Sequence, residues 1–234
     1  MNGGRETQHS GLRTQDSRRS PGFIFDLDGT LADTLDDIAA SLNHALARVA
    51  LPAVPRERVR TMIGEGLPVL LARAAQSSDP DLIQRLLPIY RSHYRVHALD
   101  QTTLYDGMPE ALDALTQRGC PLAVLSNKPH DFTTDMCRVL LARWKFVAMD
   151  GFRDGGPRKP DPAAAVALAQ RLERDCRDVL FVGDSAVDVR TALGAGMTPI
   201  GVSWGFRERE ELTAAGVSRI IDHPSELLFL TDEP

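Results

Sequence analysis

Lysine is nearly missing from this chain. Lys128, Lys145 and Lys159 are the only three in 234 residues, so almost all basic charge is arginine and each lysine invites a question about its use. Positive charge is in the minority: the net charge is −5 and the isoelectric point about 5.7, which argues against nucleic acid or an anionic membrane as a partner. Cysteine is scarce too. Cys120, Cys137 and Cys176 are odd in number and widely spaced, which excludes a disulfide framework and the paired spacing of a zinc site. No apolar run approaches the roughly 20 residues of a membrane-spanning helix, and the N-terminus carries no apolar signal segment. The expectation is a cytoplasmic enzyme or binding protein without a membrane partner. What is present is ordinary for a globular protein, with 43% hydrophobic and 25% charged residues.

Residues 1–22 are polar, weakly basic and almost free of apolar side chains, and read as a disordered extension. From Phe23 onward, short apolar runs alternate with helical patterns. The runs are Phe23–Asp28, Pro121–Asn127, Phe146–Gly151, Val179–Asp184 and Pro199–Trp204. Nearly all-apolar strands separated by helices predict an α/β fold, a doubly wound parallel sheet covered on both faces. Asp161-Pro162 reads as a helix start, with an Ala-rich helix running to Leu172. The stretch between Asp28 and Pro121 is different, because it holds no strand pattern although a βα crossover needs only about a dozen residues. Thr34-Leu35-Asp36-Asp37 resembles a capping box, and Ile38, Leu42, Ala45, Leu46 and Val49 then recur at helical spacing. Val59–Ile63, Leu67–Ala75 and Leu82–Tyr94 continue the pattern. The organisation predicted is an α/β core over 23–33 and 105–234, with an inserted helical cap over 34–104.

Polar residues gather at the ends of the predicted strands. Asp26, Asp28 and Thr30 close the first, and Ser126-Asn127-Lys128 the second. Lys159-Pro160 precedes the Asp161 helix, and Gly183-Asp184-Ser185 with Asp188 closes the fourth strand. In an open parallel sheet the carboxyl ends of the strands form the ligand crevice, so these sets converge there. Along a strand, Asp26 and Asp28 would leave on the same side. Two carboxylates that close repel unless a cation lies between them. Three acids without His or Cys indicate a hard ion, most simply Mg²⁺. A hydroxyl at Ser126, an amide at Asn127 and an ammonium at Lys159 are donors for an anion. Together the set suits phosphoryl transfer, with a carboxylate as nucleophile one established route. An EF-hand is excluded, since the further acids and the Glu at fixed offsets are missing.

Asp26-Leu27-Asp28-Gly29-Thr30, Ser126, Lys159-Pro160 and Gly183-Asp184-Ser185 with Asp188 resemble, in order, the four motifs of the haloacid dehalogenase superfamily of phosphatases. Leu125-Ser126-Asn127-Lys128-Pro129, Tyr105-Asp106-Gly107, Gly201-Val202-Ser203-Trp204-Gly205 and Gly64-Glu65-Gly66 are similar to its phosphoglycolate phosphatase branch. The resemblance implies that Asp26 attacks phosphorus and is itself phosphorylated, and that Asp28 protonates the leaving alcohol and then activates water. It implies Mg²⁺ held by the Asp26 and Asp184 carboxylates and the Asp28 backbone carbonyl, with Asp188 supporting that shell. Ser126 and Lys159 would hold the phosphoryl oxygens, with Thr30 and Asn127 also on the phosphate side, and Gly64 and Glu65 facing substrate from the cap. The substrate implied is a small phosphorylated metabolite, first 2-phosphoglycolate. A sugar phosphate, pyrophosphate, a β-phosphoglucomutase-like reaction and a phospho-accepting signalling module stand as alternatives. Lys128 is expected to be solvated or in contact with the cap. His93, His97 and His130 are expected at the surface, and Trp204 in packing.

Overall fold

A computed structural model describes residues 20–217 and 219–231. The extension expected over 1–22 lies outside the described residues up to residue 19, but its last three residues belong to the core. Ser20 Oγ donates to Arg118 O at 2.8 Å, Arg174 Nε donates to Ser20 O at 2.8 Å, and Gly22 opens the first strand.

The chain order is β1 (Gly22–Phe25), β2 (Ala32–Asp33), α1 (Leu35–Arg48), α2 (Arg56–Arg60), α3 (Leu67–Ala75), α4 (Pro80–His97), β3 (Thr103–Leu104), α5 (Met108–Gln117), β4 (Leu122–Pro129), α6 (His130–Leu140), β5 (Phe146–Phe152), α7 (Ala163–Arg171), β6 (Val179–Gly183), α8 (Ala186–Ala195), β7 (Thr198–Val202), α9 (Arg209–Ala214) and β8 (Arg219–Ile221). A 3-10 helix over Pro224–Thr231 follows. Among the described residues six strands form one sheet in the order β5-β4-β1-β6-β7-β8, every pair parallel. β1 lies between β4 and β6, where the strand order reverses, so a ligand crevice belongs at its carboxyl end.

Burial on both faces explains the apolar strands. Phe23 and Phe25 join one hydrophobic cluster and Ile24 the other, as alternation along a strand requires. Ile24 packs with α7 and α8 residues such as Leu168 and Ala192. The cluster on the opposite face runs without a break from Val124 and Leu112 into Ile38, Leu42, Leu71 and Tyr94 of the inserted helices. No described helix is long and apolar enough to cross a membrane.

Three local expectations are corrected. β1 ends at Phe25, short of Asp28. Asp26 N still bonds to Val182 O at 2.9 Å, but the chain then turns, with Leu31 N and Ala32 N both on Leu27 O and Gly29 at φ +83°. Asp28 therefore approaches Asp26 from a turn rather than along a strand. Thr34 precedes α1 but does not cap it by its side chain. Its Oγ1 instead donates to Asp28 Oδ1 at 2.8 Å, while Asp37 accepts from Thr102 N at 2.9 Å and Thr102 Oγ1 at 2.7 Å. The residues expected to cap a helix thus stitch the insertion to the acidic turn and to the segment entering β3. Finally, β2 and β3 pair antiparallel, Ala32 with Leu104 and Asp33 with Thr103. They bracket α1–α4, and two-residue strands have no periodicity from which to be read.

Candidate active site

The carboxyl ends of β1, β4 and β6 bring Asp26, Ser126 and Asp184 to one cavity, closed from the other side by Leu67 of α3, Tyr94 of α4, and Ile63 and Gly64 of the turn between α2 and α3. Lys159 supplies the central cation. Its Nζ lies 2.9 Å from Asp26 Oδ1 and 2.6 Å from Asp188 Oδ1, and the side chain is buried. The Lys159–Pro160 peptide is cis. Asp26 Oδ1 also accepts from Leu27 N at 2.7 Å. Asp188 Oδ2 takes Ser185 N at 3.1 Å and Ser185 Oγ at 2.6 Å, the capping box of α8. Asp188 is therefore both a helix cap and the anchor of Lys159. Its two oxygens are committed, so it positions its neighbours. Phe206 N donates to Asp184 Oδ2 at 2.7 Å. The approach there is tight: a Cβ on Gly205 would stand 2.2 Å from Asp184 Cβ and 2.5 Å from Gly29 O.

Negative charge in this cavity is under-compensated. Burial pushes the Asp26 carboxyl up to about 7; Lys159 pulls it down, but Asp188 and Asp28 push it up again. Burial, then Asp188 and Asp26, raise Asp184 well above the usual carboxylate range, against the pull of the Phe206 amide. Lys159 is burdened by burial, yet Asp188 and Asp26 outweigh this and hold its ammonium charged. Carboxylate oxygens of Asp26, Asp184 and Asp188 lie within 4.8 Å of one another. An all-oxygen, net-negative, buried cluster of this kind fits a hard divalent cation.

Not every expected residue joins this centre. Ser126 lines the cavity, with Oγ accepting from Lys128 N at 3.2 Å. Asn127 does not offer its amide to the cavity, because Nδ2 donates to Gly64 O at 2.9 Å and Lys159 O at 3.0 Å and so ties the 64–66 loop to the lysine. Gly64 and Gly66 line the cavity and Glu65 does not; Glu65 pairs with Arg73 instead. Thr30 is fully buried and absent from the cavity wall. Trp204 packs near Tyr105 and donates Nε1 to Thr30 O at 3.1 Å. His93 stacks on His44 and is met at a tilt by His97, away from the cavity, and His130 Nδ1 accepts from Gly151 N.

The residue whose burial sequence reasoning missed is Lys128. It is not solvated: the side chain is buried and its Nζ lies 2.6 Å from Asp28 Oδ1 and 2.8 Å from Oδ2. The contact with the cap does form, since Nζ sits 5.0 Å from the centre of the Tyr94 ring. A signal existed in the scarcity of lysine. Of the three, Lys128 and Lys159 are buried against the acids and only Lys145 is exposed.

Comparison with known proteins agrees with this geometry. Residues 23–202 match the family model of haloacid dehalogenase-like hydrolases. A phosphoglycolate phosphatase of Haemophilus influenzae (strain 86-028NP) is 32% identical over 214 residues, 88% of this chain and 96% of that protein. One from Agrobacterium fabrum is 33% identical over 193 residues, 81% of this chain and 83% of that protein. The crystal structure of a predicted phosphoglycolate phosphatase from Haemophilus somnus superposes with a TM-score of 0.84 at 28% identity, covering 92% of this chain and 100% of the other. The motifs, the parallel sheet and these likenesses agree, and the chain belongs to the haloacid dehalogenase-like hydrolases, as an enzyme of the phosphatase kind.

Proposed function

We propose that this chain hydrolyses a small phosphomonoester through a phosphorylated Asp26, with 2-phosphoglycolate as leading substrate. The observation that carries the reading is the buried Lys159 ammonium bound to both Asp26 and Asp188, beside a cavity lined by Asp26, Ser126 and Asp184. Lys159 and Leu27 N both act on Asp26 Oδ1, so the other oxygen is the attacking atom. Attack forms the Asp26–phosphorus bond as the bond to the ester oxygen breaks. Asp28, held in place by Thr34 and Lys128, gives that oxygen its proton, then takes one from the water that releases phosphate and restores Asp26. Ser126 and Lys159 hold the phosphoryl oxygens, so that positioning and charge stabilisation carry the rate. The Asp26 and Asp184 carboxylates and the Asp28 backbone carbonyl would hold Mg²⁺. That ion supplies the positive charge which lets acids and phosphoryl group share one cavity.

In this reading residues 34–104 are the cap and 23–33 with 105–234 the catalytic core. The relatives named phosphoglycolate phosphatase support the substrate choice. The test is a phosphate-release screen over small phosphomonoesters with Mg²⁺, ranked by kcat/KM. A preferred substrate other than 2-phosphoglycolate overturns the substrate and leaves the reaction. Turnover retained by Asp26→Asn overturns the nucleophile.

A further inference from the structure

The cavity wall away from Asp26 and Asp184 is apolar, built from Ile38, Leu67, Leu70 and Phe132. Tyr90, Tyr94 and Lys128 interrupt it with polar groups, and two of these bear on a ligand. The Tyr94 hydroxyl is buried and has no hydrogen-bond partner among the described residues. Buried hydroxyls are ordinarily paired, so an orphan on a side chain that lines the cavity is a candidate partner for an acceptor brought by a ligand. The Lys128 ammonium is the other. Two of its three hydrogens are accounted for by the oxygens of Asp28, and the third is free for an acceptor.

We propose that Lys128 and Tyr94 form the subsite for an anionic group on the leaving side of the substrate, a carboxylate attached to the carbon next to the ester oxygen. The inference rests on the phosphomonoesterase reading above and assigns what that reading leaves open. If Asp28 hands its proton to the leaving oxygen, a cation in contact with both Asp28 carboxylate oxygens stands within a few ångströms of that atom. A carboxylate one carbon away meets it, and the Tyr94 hydroxyl gains the acceptor it lacks. A sugar leaving group would instead set several hydroxyls against Ile38, Leu67 and Leu70 without partners, at a desolvation cost. Specificity built this way rejects a neutral analogue, because the analogue leaves the buried donors unpaired.

The test compares 2-phosphoglycolate with 2-hydroxyethyl phosphate, which has the same chain of heavy atoms but ends in a neutral hydroxyl. Wild-type protein with Mg²⁺ is expected to favour phosphoglycolate by at least about tenfold in kcat/KM. Lys128→Met should lower that ratio about tenfold, beyond the loss common to both substrates that follows from releasing Asp28, and Tyr94→Phe, which keeps the ring and its packing, should lower it about threefold or more through KM for phosphoglycolate. If both substrates lose activity by the same factor, the two residues are only structural and the subsite is wrong. No preference in the wild type overturns it equally. If neither ester is hydrolysed, the phosphatase reading has failed by itself. Glycolate alone then decides the subsite: it should raise the melting temperature of wild type more than of Tyr94→Phe, with ethylene glycol inert, and the absence of that difference overturns the subsite.

Discussion

At the scale of single residues, the balance of charge around Asp26 makes two opposite demands. Catalysis needs the carboxylate; folding without a cation would rather have it neutral. Asp26→Asn should reduce phosphate release by at least about 10³-fold, as loss of a nucleophile does. The same substitution should stabilise the metal-free protein at high pH. A carboxyl whose folded-state pKa is raised binds its proton more tightly when folded than when unfolded. Its contribution is complete below the usual value of 3.8 and is lost as pH rises through about 7. In EDTA, the urea midpoint of Asp26→Asn should therefore exceed that of wild type at pH 8 and converge with it below about pH 3.8. Equal differences at both pH values would mean that burial does not strain this carboxylate.

Lys159 poses the reverse case. It is the cation shared by Asp26 and Asp188, and removing one partner of a buried ion pair strands the others. Lys159→Met should cost about 3–5 kcal/mol of unfolding free energy in EDTA, and Mg²⁺ should recover part of it. Urea titrations with and without the ion measure both effects.

At the scale of elements, the contact between insertion and core is a set of reciprocal hydrogen bonds. Arg60, at the end of α2, donates to Gly205 O at 3.0 Å. Arg207, between β7 and α9, donates to Arg60 O at 2.9 Å and to Ile63 O. Asn127 adds the bond to Gly64 O. Each contact spans the cavity mouth and none touches Asp26. Arg207→Ala should accordingly raise KM about tenfold, the worth of a lost charge-assisted hydrogen bond, and alter kcat less. A loss confined to kcat would show that Arg207 acts on the chemistry instead. The five predicted strands were readable because each is a short, nearly all-apolar run, and α3 because its apolar spacing is regular. The pairing of β2 with β3 was not, since two residues carry no period. Nor was the turn that delivers Asp28: Asp26 and Asp28 read equally well as alternate residues of one strand, and only the positive φ of Gly29 decides between the two. Lys128 escaped because its partner is 100 positions away in sequence, and long-range pairing leaves no local signature.

At the scale of the whole molecule, division into core and inserted unit does not mean two hydrophobic cores. Leu42, Leu71 and Tyr94 of the insertion, Val124 of the sheet and Phe132 and Met136 of α6 belong to one buried cluster. A unit that shares its apolar interior with its host cannot unfold without exposing the host's surface, so loss of structure should be all-or-none. The two tryptophans, Trp144 and Trp204, lie outside the insertion, whereas α1, α3 and α4 supply much of the helix signal. Thermal unfolding followed by tryptophan fluorescence and by far-ultraviolet circular dichroism should therefore give coincident curves. Mg²⁺ at about 100 times its dissociation constant should move both upward together, by about 2.7 kcal/mol of stability. An earlier transition seen only by circular dichroism would show that the insertion melts alone, and that the bonds from Arg60, Arg207 and Asn127, rather than the shared interior, hold it over the cavity.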